Sequence, residues 1–295
     1  MSFWTTFWPY FTGSVLLLLG LGRALRPGTT KPSFVERSLA LGLVLFAAPM
    51  GVFGTEHFVF PSVIAGMVPA WLPVHLFWTY LTGTALIAAA LSIVVNRYSG
   101  LAAALLGLML LCFVVMISVP NIARNPGDRF VLAVLLRDLS FAGAALALAV
   151  VLEFPPLFRN SRSAIRILRP SIAVPSIVFG LEHFLHPGFV PAVPLEHPLP
   201  AWVPAPVAFA YVVGTILIAC GSCIALDWRG AEAAAILGWA VVILVLVVYV
   251  PLLVSEPSVA VGLNYFMDTL AFAGGALIWA GALGRSFEPS AAHSA

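Results

Sequence analysis

The sequence predicts an all-α integral membrane protein with nine transmembrane helices, arranged as one N-terminal helix followed by two parallel four-helix bundle repeats. The 295 residues are 61% hydrophobic and only 9% charged, and the mean hydropathy is +1.05, whereas a soluble domain is about a quarter charged. The second half of the chain also repeats motifs of the first half. The formal net charge of +2 is not clustered, which argues against nucleic acid as a partner.

A spanning helix needs about 20 apolar residues, and nine segments approach this length. The sixth segment is the shortest and contains Pro175. The predicted spans are residues 3–21, 38–60, 75–95, 100–119, 130–152, 170–185, 205–226, 231–254 and 263–283. They define an N-terminal helix and linker at 1–37, a first repeat at 38–153, a second repeat at 154–284 and a tail at 285–295.

The loop charges predict an N-terminus outside the membrane and a C-terminus in the cytoplasm. The first span starts with the aromatic run SFWTTFWPYF and its basic residues follow it, which is the reverse of a secretory signal. Cytoplasmic loops collect lysine and arginine. One set of loops holds Arg23, Arg26, Lys31, Arg37, Arg97, Arg159, Arg162, Arg166, Arg169, Arg229 and Arg285, whereas the opposite loops hold Arg124 and Arg129.

The internal repeat is visible as a series of matching motifs. GTEHFVFP at 54–61 matches GLEHFLHP at 180–187, PAWLP at 69–73 matches PAWVP at 200–204, and YLTGTALIA at 80–88 matches YVVGTILIA at 211–219. After the inserted residues PLEHP at 194–198 the spacing stays constant through FAGAAL and FAGGAL. Because each copy contains four spans, both should have the same orientation and be related by a pseudo-twofold axis along the membrane normal.

Ionisable and tyrosine side chains recur at one depth near the outer face of each copy. Charged groups inside a span usually face a bundle interior or a cavity, so we expect an outward-facing, proton-exchanging pocket in one or both repeats. Within each repeat, the expected partner of the Glu-His pair is the aspartate of the last helix. The alternative is that these groups only join helices and cap their ends. The candidates are Glu56, His57, Tyr80, Arg137, Asp138, Glu182, His183, His186, Tyr211 and Asp268.

The two copies differ by one position in the last helix. When the copies are aligned on FAG, Asp138 falls opposite Thr269, and Asp268 falls opposite Arg137. One position is about 100 degrees around a helix. The two predicted sites are therefore similar but not equivalent.

Two further motifs have competing interpretations. Trp71 and Trp202 of the PAW loops are expected to anchor the membrane interface, or else to form a lid together with His75. The CGSC motif at 220–223 has the spacing of a redox dithiol, Cys220 with Cys223, but the motif alone is a weak indication and small-residue packing explains it more simply.

The residues of the predicted pocket suit a quinone better than a haem. His57 and His183 could ligate a haem, but both adjoin carboxylates and no further haem signature is present, so haem is disfavoured, and no metal site is predicted. A quinone fits better, because its oxygens need hydrogen-bond partners that exchange protons. The alternatives are a small-molecule or proton-coupled transporter and a non-catalytic membrane scaffold.

The sequence resembles the DoxX family of bacterial membrane proteins in three motifs. They are the EHF ending of a first helix, the PAWLP loop and the RDLSFAG start of a last helix at 137–143. The resemblance covers about residues 38–152 and, more loosely, 165–283, where MDT replaces RDL. It implies a bacterial inner-membrane location, a surrounding lipid bilayer and a quinone-linked redox function. Nothing in the sequence looks like a flavin or iron-sulfur site, so electron transfer would require a redox partner protein.

Overall fold

The computed structural model describes residues 3–26, 33–152, 154, 161–190 and 197–285. Within these ranges all regular structure is helical, apart from one isolated bridge between Phe189 and Pro198. The predicted all-α class is therefore confirmed for this part of the chain. The described ranges do not include Lys31, Arg159, residues 194–196 of the insertion or the tail from 286 onward.

The helices follow the apolar segments closely. They are α1 (Phe3–Ala24), α2 (Phe34–Val59), α3 (Pro61–Ala65), α4 (His75–Val95), α5 (Ser99–Phe113), α6 (Val119–Arg124), α7 (Arg129–Val151), α8 (Ser161–Leu168), α9 (Pro170–Leu185), α10 (Pro206–Leu226), α11 (Gly230–Leu244), α12 (Val250–Ser255) and α13 (Asn264–Arg285). Within the described residues, π-helical turns at Val114–Ser118, Val245–Tyr249 and Val259–Leu263 directly precede α6, α12 and α13.

Eight helical segments of the described residues are long and apolar enough to cross a membrane. The 22-residue helix α1 is not among them, so the ninth span stays a prediction. The segments are Phe34–Val59, His75–Val95, Ser99–Arg124, Arg129–Val151, Arg162–Leu185, Pro206–Leu226, Gly230–Ser255 and Val259–Gly284.

The start of α2 differs from the prediction, which placed it at residue 38. Ser33 accepts a hydrogen bond from the Glu36 backbone, and the Glu36 side chain accepts one from the Ser33 backbone. This capping box satisfies two backbone donors and extends the helix outward from its apolar run. Helix α2 therefore begins at Phe34.

Local backbone features recur at a constant spacing in the two halves of the chain. The non-glycine residues with positive φ are Val74, Asn96 and Tyr98 in the first half, and Ala205, Asp227 and Arg229 in the second. Each residue of the first set has its partner 131 positions later, the same separation that joins Arg137 and Asp268. All six lie next to helix ends, where chain reversal requires the left-handed conformation.

The π-helical turns Val114–Ser118 and Val245–Tyr249 share this spacing, and Pro120 and Pro251 follow them. A proline lacks a backbone N–H group and clashes with the preceding turn, and a π-helical turn is one way for a membrane helix to accommodate it. Such turns rotate the residues that follow and are frequent at functional sites.

Helices α7 and α13 pack against each other in the centre of the bundle. Helix α2 packs against α13, and α9 packs against α7, so the last helix of each half contacts the first helix of the other half. The span of α13 is the most enclosed of the eight, with 94% of its most apolar stretch buried. We call the end of the bundle where α2 and α9 end the EHF face, after their shared motif.

Close helix approach depends on facing glycines. A Cβ atom added at Gly54 would lie 2.8 Å from the Gly83 carbonyl oxygen, and one at Gly180 would lie 2.8 Å from the Gly214 carbonyl oxygen. Small residues allow this approach in a bilayer, where packing drives helix association. The α2–α4 and α9–α10 contacts therefore both depend on close backbone approach at a pair of facing glycines.

Gly54→Ala is expected to destabilise the protein by about 1–3 kcal/mol, because the added methyl group meets backbone atoms that cannot move aside. Thermal unfolding of the protein in detergent measures the effect. Gly22→Ala is the matched control, since an added Cβ there meets nothing within 4 Å. Equal melting temperatures for Gly54→Ala and Gly22→Ala would contradict the proposed packing role.

Candidate functional site

An ion pair between the two halves lies in the middle of the bundle. Arg137 of α7 donates from Nη1 to Oδ2 of Asp268 in α13 at 3.0 Å. Its Nε and Nη2 atoms donate to Oδ1 of the neighbouring Asp138 at 3.1 and 2.9 Å. Asp268 is only 4% exposed, and Arg137 lies about 12 Å along α7 from its start at the EHF face. One guanidinium group therefore serves two aspartates on two helices.

The one-position difference between the repeats has a physical explanation in this geometry. Arg137 and Asp268 occupy matching positions, and they contact each other across the α7–α13 interface. The following residue on each helix turns instead toward the π-helical turn of its own half. Ser118 donates to Oδ2 of Asp138 at 3.0 Å, and the matching residues Tyr249 and Thr269 also interact with each other.

Glu56 joins this group from α2. The Glu56 carboxyl group lies beside the Asn264 side chain and interacts electrostatically with Asp268 and Arg137. The sequence predicted that the partner of Glu56 would be the aspartate of its own half, Asp138; the structure places Glu56 against α13 of the other half instead. The reason is that α2 packs on α13.

We call Glu56, Arg137, Asp138, Asn264 and Asp268 the central cluster. It contains three carboxyl groups and one guanidinium group. Arg137 is already engaged by both aspartates, so Glu56 has no cation of its own in the cluster. Glu56 Oε1 and Asn264 Oδ1 are both buried and have no hydrogen-bond partner. Two buried acceptor oxygens beside excess negative charge favour the binding of a proton or another cation.

Glu182 matches Glu56 in sequence but has different surroundings. It lies 3.4 Å from Nη1 of Arg129 and 3.7 Å from Nε2 of His186. The guanidinium carbon of Arg129 also lies 4.2 Å from the ring centre of Phe189. Glu182 therefore has a basic partner close to the EHF face, and this contact joins α9 to α7. The two motif glutamates are not equivalent.

The residues that follow α9 as far as Val190 contact the described residues from His197 onward. The Val190 backbone N–H group donates to the His197 carbonyl oxygen at 2.9 Å, and Val190 is fully buried. His197 Nε2 lies 3.5 Å from Oε1 of Glu256, and its ring contacts that of Tyr265. The first half has the short helix α3 at the matching place.

The motif histidines face the helix contacts rather than the cluster. In both His57 and His183, Nδ1 lies within hydrogen-bonding distance of the carbonyl oxygen four residues earlier, at 2.7 and 2.5 Å. A carbonyl oxygen only accepts, so Nδ1 carries the proton in each ring. The Cβ atoms of His57 and His183 lie against Gly83 and Gly214. No group of three His, Cys, Asp or Glu side chains in the described ranges is arranged to hold a metal ion.

The remaining predicted candidates lie apart from the central cluster. Tyr80 stacks on Phe58 and Tyr211 stacks on Phe184, and both tyrosines are exposed. Trp71 and Trp202 are exposed at the EHF face, and His75 is half-buried at the start of α4. Cys220 is buried and Cys223 is half-buried on the adjacent turn of α10.

Sequence reasoning missed Asn264, Ser118 and Tyr249 as members of the site. Asn264 has no polar counterpart, because the matching residue of the first half is Ala133. Ser118 and Tyr249 look like ordinary residues of an apolar run, and the matching spacing of Pro120 and Pro251 was the only signal near them.

The described residues also form an apolar groove of about 210 Å³ between α10 and α11. Its lining contains no residue of the central cluster. Phe209, Ile216, Leu237, Val241 and Val247 are among the lining residues.

Arg137→Gln is expected to destabilise the protein by about 3–5 kcal/mol, because it leaves buried carboxylates without their cation. In the double variant with Asp268→Asn, we expect a loss smaller than the sum of the two single losses, since both ends of the ion pair are removed together. Denaturant unfolding in detergent gives the three free energies.

Asp227→Asn is the control, because it breaks an ion pair with Arg169 in which the Asp227 side chain is 43% exposed. That change should cost about 1 kcal/mol or less. Additive losses for Arg137→Gln and Asp268→Asn would show that the ion pair does not couple α7 to α13.

Comparison with known proteins gives one family match. A family model described as a domain of unknown function (DUF8561) matches residues 46–153, which run from within α2 to just past the end of α7. No curated protein matches the chain. No solved structure matches it either.

Proposed function

We propose that the central cluster is a proton-exchanging site in the membrane subunit of a redox system, and that it serves a quinone or a similar lipophilic ligand. One observation carries the proposal: the cluster holds three carboxyl groups and one guanidinium group, which is engaged by the two aspartates, and Glu56 keeps a buried oxygen without a hydrogen-bond partner. Such an arrangement is costly in a bilayer and usually marks a functional site.

The chemistry of a quinone matches these groups. Its two carbonyl oxygens accept hydrogen bonds, and its reduction to a quinol adds two electrons and two protons. Glu56 would supply and recover protons, while Arg137 would stabilise the negative charge that develops on the ligand oxygens. The electrons would come from a redox partner protein.

We further propose an architecture of nine spans, with an N-terminal helix followed by two parallel repeats related by a pseudo-twofold axis. The support comes from the shared 131-residue spacing of the positive-φ residues, the π-helical turns and the Arg137–Asp268 pair. Residues at matching positions meet each other on a twofold axis, which is the geometry of this ion pair.

The same proposal includes a relationship to the DoxX family, a bacterial inner-membrane location and an N-terminus outside. The exposed arginines support the orientation, because the face opposite the EHF face carries Arg23, Arg26, Arg37, Arg97, Arg162, Arg166 and Arg229. The EHF face would then be the outer face.

Proton-coupled transport is the second candidate. It is favoured by one observation, the position of the cluster between the two halves of the chain. In transporters with repeated units, substrate and coupling ions bind at the interface between repeats. The sequence alone placed the polar groups in the outer third of the membrane, whereas a transporter's central site should reach the midplane, and this favoured transport less.

Glu56→Gln is expected to lower the quinone that co-purifies with the protein by about tenfold, since it removes an exchanging proton and a charged hydrogen-bond partner. Lipid extraction and mass spectrometry of gently purified protein give the ratio of quinone to protein. Glu182→Gln is the matched control, because Glu182 is paired with Arg129 outside the cluster. Its quinone content should stay near that of the wild type.

Equal quinone in Glu56→Gln and wild type, at equal protein yield, would contradict the quinone assignment. If solute-dependent proton uptake into proteoliposomes were lost in Glu56→Gln under those conditions, the cluster would belong to a transporter instead.

A further inference from the structure

Helix α1 packs beside the central cluster, although it belongs to neither copy of the repeated motifs. It runs antiparallel to α2: Leu16 fills the space at Gly51, and Thr12 lies against Thr55 nearer the EHF face. Thr55 is the residue before Glu56, and its hydroxyl group shares a hydrogen bond of 3.0 Å with the Thr12 hydroxyl group. This hydrogen bond joins α1 to α2 at the level of Glu56.

Helix α1 also contacts the α13 side of the cluster. A Cβ atom added at Gly13 would lie 2.9 Å from Cε of Met267 and 2.9 Å from Cγ2 of Val52. Met267 precedes Asp268, and Val52 lies one turn before Glu56 on the same face of α2. Because Gly13 has no side chain, α1 can lie over the line where α2 meets α13.

A third contact of α1 lies closer to the EHF face. The Tyr10 hydroxyl group donates a hydrogen bond to the Pro257 carbonyl oxygen at 3.0 Å. Pro257 comes shortly before the π-helical turn Val259–Leu263, which leads directly into α13. The buried residues of α1 at this end, Pro9 and Gly13, carry no polar side chain. Helix α1 therefore adds an apolar wall beside the cluster.

The matching surface of the second half is more open. Leu181 replaces Thr55 in the repeated motif, and Leu181 is 49% exposed, whereas Thr55 is 7% exposed. The glutamates that follow these two residues also differ. Glu182 pairs with Arg129, whereas Glu56 keeps a buried oxygen without a hydrogen-bond partner. The glutamate beside α1 is thus the one without a cation of its own.

We propose that Thr12 and Gly13 are positioning residues of the central cluster: through them, α1 holds Glu56 against α13 and keeps water away from the Glu56 carboxyl group. The inference rests on the proposed proton exchange at Glu56. A carboxyl group that trades protons with a bound ligand has to be shielded from proton leakage to bulk water. Its geometry also has to be held by the residues around it. Helix α1 does both from one side of the cluster.

The test measures how fast the Glu56 proton exchanges with solvent. The full chain in lipid is transferred from H2O into D2O, and time-resolved infrared spectroscopy follows the deuteration of the carboxyl band that Glu56→Gln removes. Thr12→Val deletes the hydroxyl group at nearly constant shape, and Thr55 keeps its hydrogen bond to the Gly51 carbonyl oxygen. We expect about fivefold faster exchange in Thr12→Val, because losing one hydrogen bond between helices favours local opening. Thr12→Ser keeps the hydroxyl group and should exchange at the wild-type rate.

Thr84→Val is the matched control, since the exposed Thr84 hydroxyl group bonds to the Tyr80 carbonyl oxygen within its own helix. Its exchange rate should equal that of wild type. An unchanged rate in Thr12→Val would overturn the proposal, as would an equal rise in Thr84→Val or in Thr12→Ser. A wild-type protein without the Glu56 band would instead overturn the proposed proton exchange, and this inference with it.

Gly13→Ala is a second variant that tests the same contact without touching the hydroxyl pair. Its added methyl group meets Met267 and Val52, so we expect faster exchange than in wild type. Gly22→Ala is its control, because a Cβ atom there meets nothing within 4 Å. Equal exchange rates in Gly13→Ala and Gly22→Ala would contradict the role of Gly13.

Discussion

Arg137 has to satisfy two aspartates from different helices in the interior of a membrane protein. Its hydrogen bond to Asp268 joins the two central helices, α7 and α13, while its hydrogen bonds to Asp138 stay within α7. Without that guanidinium group, an ionised aspartate at this place would be an uncompensated charge, which is costly in a bilayer. The same pairing also leaves Glu56 without a cation. The interaction that joins the two halves therefore creates the unbalanced group on which the proposed proton chemistry depends.

In the repeat architecture that we propose, a twofold axis explains why the two halves differ. Residues at matching positions on such an axis face each other, so identical arginines or identical aspartates there would repel. Arg137 opposite Asp268 removes that conflict, and Asp138 and Thr269 then interact with the π-helical turns of their own halves. The two glutamates diverged in the same way: Glu182 gained Arg129 as a partner, whereas Glu56 gained the uncharged Asn264. The two matching motifs thus take part in one unbalanced cluster and in one ion pair that joins helices.

Much of the helical structure was predictable, because an apolar run of spanning length has few alternatives in a membrane. The predicted span at 75–95 coincides with α4, and the span at 170–185 coincides with α9. The start of α2 was predicted too late, since its capping box precedes the apolar run. The depth of each residue in the membrane was also predictable, because counting residues from the helix ends placed Glu56 and Asp268 near one level. Which helices are neighbours was not predictable, because spacing in one sequence does not show that α2 packs on α13. Asn264 was missed for the same reason.

Infrared difference spectroscopy of the carboxyl groups tests the central claim most directly, because a protonated carboxyl group and an ionised carboxylate absorb at different frequencies. The protein in lipid is compared across a pH step, in wild type and in Glu56→Gln. We expect wild type to show the band of a protonated, buried carboxyl group that titrates across the pH step, and we expect this band to be missing from Glu56→Gln. A band that persists unchanged in Glu56→Gln would contradict it, as would a wild-type spectrum with no protonated carboxyl group at any pH where the fold is intact.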